Sequence, residues 1–115
     1  MEDVSALLIL DLSQLRNITL NDEALMREVV DALVSDASQR IEELNRAVEK
    51  GDARACVKLA HNAQGACGNV GAVSMAALFS TLELEAKDGD LGSCRFSLEA
   101  LSLELEKLRQ QATSI

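Results

Sequence analysis

Apolar residues recur every three or four positions along almost the whole chain, and proline is absent. That spacing predicts an all-α protein. A short first helix is expected near Asp11 to Asn17, with Asp11 as its N-cap. The break Thr19-Leu20-Asn21-Asp22 then opens a long second helix, whose apolar ladder reads Leu25, Val29, Leu33, Ala37, Ile41, Leu44 and Val48. Gly51 stops it and Asp52 is placed to cap the third. The third helix carries Cys56, Leu59, Ala60, Ala63, Cys67 and Val70 on one face, and Gly68 and Gly71 mark its end or its turn. Met75, Leu78, Phe79, Leu82 and Ala86 belong to a fourth helix that finishes at Lys87-Asp88-Gly89. The last repeats Leu91, Cys94, Leu98, Leu101, Leu105 and Leu108, a heptad seam, with Phe96 and Leu103 off it one heptad apart. Four long helices joined by short connections predict an antiparallel up-and-down bundle with the first helix as a lid.

Composition narrows the function. A chain of 115 residues is expected to form one domain over 1–115, its core spanning about 11–110. No stretch is apolar for long enough to span a bilayer, and the opening MEDVSALLIL has an acidic flank, so neither leader nor anchor is expected. A net charge of −8 argues against a nucleic-acid partner. Three cysteines without a CxxC pair suggest reduced thiols and a cytoplasmic location.

The one histidine of the chain, His61, draws the attention. At 100° per residue it lies roughly 140° from Cys56 on the third helix, so its ring points away from the core. Gly65 and Gly68, at i+4 and i+7, share its side of the helix. A helical side chain covers the turn N-terminal to its own Cα, so a large residue at 65 would lie over the imidazole. Glycine leaves the ring uncovered, at about 1 kcal/mol against alanine. No acid occurs from Ala53 through Leu82, whereas Arg54 and Lys58 precede His61 within two turns. An anion on His61 would therefore meet cations, although the chain as a whole repels anions.

Other chemistries fit poorly. Cys56 and Cys67 lie about 16 Å apart along one helix and cannot share a metal with His61. Glu83 and Glu85 are two residues apart on the fourth helix and face different ways. One histidine cannot supply a di-iron bundle. No metal site is expected.

The run Ala60-His61-Asn62-Ala63-Gln64-Gly65, followed by Gly71-Ala72, Met75, Leu82-Glu83 and Gly89-Asp90, resembles the histidine-containing phosphotransfer (HPt) domain family. The family pattern is A-H-x-L-K-G, five residues, G-A-x-x-L, six residues, L-E. The chain departs from it at Ala63, in place of leucine, and at Gln64, in place of lysine. The resemblance implies a four-helix bundle with a short extra helix, acting as a phosphorelay intermediate and not as an enzyme in isolation. His61 would accept a phosphoryl group from an aspartyl phosphate on one receiver domain and pass it to an aspartate on another. Arg54, Val57, Lys58, Gln64, Gly65 and Gly68 would form the phosphoryl- and partner-binding patch. The partners implied are receiver domains of response regulators or a hybrid sensor histidine kinase, met by a monomer. No cofactor is implied on this chain, because the receiver brings its own Mg²⁺. A bundle that binds a receiver or kinase without being phosphorylated is the alternative.

Overall fold

The computed structural model describes residues 8–115 as five helices: α1 Leu12–Ile18, α2 Glu23–Glu49, α3 Ala53–Val70, α4 Val73–Lys87 and α5 Leu91–Ala112. Residues 1–7, most of the opening segment read above as neither leader nor anchor, lie outside the described residues. Among the described residues no helix is long and apolar enough to cross a membrane.

Four of the five helices begin on an aspartate. Asp11, Asp22, Asp52 and Asp90 each accept a hydrogen bond from the backbone N–H three residues on. Such a cap satisfies an N–H with no partner inside the helix and contributes about 1 kcal/mol. The four long helices form a closed ring in which each packs on the next and α2 packs on α5. The α3, α4 and α5 faces largely follow the expected stripes: Cys56, Ala60, Ala63 and Cys67; Met75, Leu78, Phe79, Leu82 and Ala86; Cys94, Leu98, Leu101, Leu105 and Leu108 are all buried. Leu59 and Val70 are partly buried against this core.

The start of α2 differs from the expected ladder. Leu25 is 40% exposed and Val29 half-buried, while Met26, Val30 and Val34 face the core. Steps of four residues from Leu25 to Ile41 each overshoot a full turn by about 40°, so the whole run cannot share one face. The buried stripe instead mixes steps of three and four.

One end of the ring is closed by α1 and the segment before it. The turn between α3 and α4 is a single left-handed residue, Gly71 (φ 101°), and the first residue after it, Ala72, is completely buried. The Asp11 N–H donates to the Gly71 carbonyl (2.8 Å), and Gln14 Nε2 donates to the carbonyls of Gly68 (2.7 Å) and Asn69 (3.2 Å). Helix α4 has no side-chain cap of its own. The Leu8 carbonyl takes its place by accepting from the Ser74 N–H (2.9 Å). Leu15, fully buried, anchors α1 to the core.

At Gly71 a Cβ would require an unfavourable φ and would sit 3.1 Å from the Asp11 carbonyl oxygen. Gly71→Ala is expected to destabilise the fold by about 1–3 kcal/mol, measured by urea unfolding with an unchanged m-value. An unchanged midpoint would refute the reading of this turn.

Candidate functional site

His61 sits mid-way along α3, on the flank that faces α4, with its side chain 70% exposed. The buried stripe through Cys56, Ala60, Ala63 and Cys67 fixes the rotation of α3, so the ring is turned outward by the core itself. Because α4 returns antiparallel from Gly71, Glu83 comes alongside. His61 Nδ1 lies 3.1 Å from Glu83 Oε1, although the residues are 22 positions apart. The other carboxylate oxygen, Oε2, accepts from Lys87 Nζ at 3.0 Å, one turn further along α4.

Glu83 is therefore the middle member of a three-residue chain. Its side chain is only 11% exposed, yet its carboxyl is held below the usual carboxylate range. The hydrogen bond from Lys87 is the largest cause, burial opposes it, and the hydrogen bond to His61 adds to the lowering. An ionised carboxylate only accepts hydrogen bonds. Nδ1 of the neutral imidazole must then carry the ring proton, which leaves the Nε2 lone pair unengaged.

The ring, Glu83 and Lys87 line an open cavity of about 800 Å³ together with Arg54, Val57, Lys58 and Asn62. Arg54, Lys58 and Lys87 bring three cations to this one place in a chain of net charge −8.

The family model that describes the Hpt domain matches residues 28–111, which take in α3, α4 and most of α2 and α5. The chain belongs to the Hpt domain family. No curated protein gives a significant match. Among solved structures, histidine-containing phosphotransfer protein B from Pseudomonas aeruginosa PAO1 superposes with a TM-score of 0.85 at 28% identity, over 92% of each chain. A putative histidine-containing phosphotransfer protein from rice gives a TM-score of 0.82 at 18% identity, over 92% of this chain and 78% of its own, a likeness of fold.

Of the residues singled out in the sequence, this Hpt domain gathers His61, Arg54, Val57 and Lys58 around one cavity. Gln64 is half-buried and does not line it. Gly65 and Gly68 are exposed, and a Cβ on either would meet nothing within 4 Å. The Gly68 carbonyl also receives the Gln14 amide, so that position ties α1 to α3.

Sequence reasoning missed the roles of Glu83 and Lys87. The acid-free window ends at Leu82, one residue short of the carboxylate that reaches the ring. Glu83 and Glu85 do face different ways: Glu85 accepts from Ser97 on α5 (2.6 Å). The available signals were Leu82-Glu83 in the motif and the four-residue step to Lys87. The cysteines are all buried, and burial pushes the Cys67 thiol up to about 12 and that of Cys94 to about 11. Neither is a thiolate at neutral pH, as befits packing residues.

The geometry predicts the ring's tautomer. ¹⁵N NMR of the neutral His61 ring should show protonated Nδ1 and bare Nε2. Glu83→Leu should return the ring toward the Nε2–H form usual for free imidazole. Protonated Nε2 in the unsubstituted protein would refute the hydrogen-bond assignment.

Proposed function

We propose that His61 is the phosphoacceptor of this Hpt domain, taking a phosphoryl group on Nε2 from a receiver aspartyl phosphate and passing it to the aspartate of another receiver. The observation that carries the reading is the exposed ring held through Nδ1 by an ionised carboxylate, with Nε2 unengaged.

In the forward step the Nε2 lone pair attacks phosphorus in line with the aspartyl oxygen. The N–P bond forms as the P–O bond breaks, and the receiver carboxylate leaves with the electron pair. The ring keeps its Nδ1 proton and becomes cationic on phosphorylation. Glu83, already ionised and bonded to Nδ1, balances that charge where it develops. The reverse step returns the phosphoryl group to a carboxylate and restores the neutral ring. Mg²⁺ belongs to the receiver, and this chain supplies orientation and local charge. Such a domain carries phosphate and does not turn over a substrate by itself.

Gly65 supports the same reading. Nothing among the described residues requires glycine there, because a Cβ would stand in open space. Its small size leaves the ring open to a partner that approaches from outside. Arg54, Val57 and Lys58 supply the polar and apolar rim of the face a receiver would meet.

Mixing with a phosphorylated receiver should place acid-labile, base-stable phosphate on the protein. His61→Gln should abolish the label and leave the helical signal and melting nearly unchanged, since the ring is outside the core. Persistent labelling of that variant would overturn the assignment. A folded wild-type protein that binds receivers but never takes label would instead be an interaction module. Gly65→Leu should slow transfer at least ten-fold while stability holds or rises slightly, because leucine is the better helix former. Stopped-flow transfer kinetics beside thermal melting would separate the two effects.

A further inference from the structure

The family lysine beside the histidine is replaced here by Gln64, a residue that can donate a hydrogen bond but brings no charge. We propose that Lys87, on the neighbouring helix, supplies the cation that meets the phosphoryl group on His61, passing to it from Glu83. This rests on His61 as the phosphoacceptor.

Three cations line the cavity, and their geometry distinguishes them. Arg54 and Lys58 lie N-terminal to His61 on the same helix, and helical side chains lean toward the N-terminus. Both therefore slope away from the ring. Lys87 lies on α4, four residues beyond Glu83, and its side chain leans back toward the level of His61. It is the one cation among the described residues joined to the ring through a single shared carboxylate, at 3.0 Å and 3.1 Å on the two oxygens. Its side chain is 54% exposed, so it is free to change partner.

Phosphorylation supplies the reason to change. A phosphoryl group adds up to two negative charges and three acceptor oxygens. It also makes the ring cationic, which strengthens the claim of His61 on Glu83. The carboxylate is then satisfied by the ring, and the ammonium finds a stronger acceptor in the same cavity. Gln64, half-buried and off the cavity, brings no charge.

The test uses phosphoramidate as the phosphodonor, so that no receiver is required. Nε2 displaces ammonia and forms the N–P bond. The second ionisation of the phosphoryl group is then followed by ³¹P NMR against pH. In the unsubstituted protein the titratable and charged groups around it are Asp52, Arg54, Lys58, Glu83 and Lys87, of which each variant removes only the one it names. Lys87→Met should raise the midpoint by roughly 0.2–0.7 pH units, the span of an exposed ion pair. The shift should shrink at high salt, and Lys87→Arg should largely abolish it. Gln64→Ala should move the midpoint by less than Lys87→Met does, because it removes no charge. Glu83→Gln separates a direct role from an indirect one. If Lys87 acts on the phosphoryl group, Lys87→Met still shifts the midpoint in that background. If it serves only to hold Glu83, the shift vanishes there and the proposal fails. An unmoved midpoint in Lys87→Met alone, or a larger shift in Gln64→Ala, would also overturn it. Absence of any phosphohistidine on the unsubstituted protein would instead refute His61 as a nucleophile, and this proposal with it.

Discussion

The left-handed turn at Gly71 is the constraint on which the site depends. With only Gly71 and Ala72 between α3 and α4, the two helices return antiparallel with no freedom to slide. Residues placed nearly symmetrically about the turn must meet, and His61 and Glu83 are such a pair. Lengthening the turn would change the register and take the carboxylate off the ring. The chain reinforces the turn from outside: the Asp11 amide, the Gln14 side chain and the Leu8 carbonyl all bond to residues 68 to 74. Helix α1 is thus a clamp on the turn as well as a lid on the core.

That arrangement reconciles two demands on the ring. A nucleophilic imidazole must be exposed, and exposure ordinarily leaves a side chain free to rotate. Here the ring is solvent-facing but tethered through one nitrogen to a largely buried carboxylate. The hydrogen bond from Lys87 holds the carboxyl below its usual range against the opposing effect of burial, and an ionised carboxylate fixes the direction of the hydrogen bond from the ring. Orientation, tautomer and charge balance therefore follow from one residue of α4. The acidic surface elsewhere does not oppose this, because its charges are screened beyond about 8–10 Å at physiological salt. Within the cavity the basic side chains outnumber the acidic ones.

Much of this was legible in the sequence. Helix count, the Asp11 and Asp52 caps and the buried stripes of α3, α4 and α5 follow from residue spacing and local hydrogen bonding, which act over three or four positions. The exposure of His61 follows too, because a helix's rotation is set by its own apolar stripe. The ladder of α2 went astray at Leu25 and Val29 because four-residue steps drift around the helix, and only packing decides which neighbours take up the drift.

What the tertiary structure decided is the company of the ring. Arg54, Val57 and Lys58 share a helix with His61 and were within reach of a periodicity argument. Glu83 and Lys87 arrive from the next helix, and Gln64 falls outside the cavity despite being three residues from His61. Spacing along one helix specifies direction but not distance to another. That distance depends on the turn at Gly71 and on how Ala60, Ala63, Phe79 and Leu82 pack, and packing is a property of the assembled core.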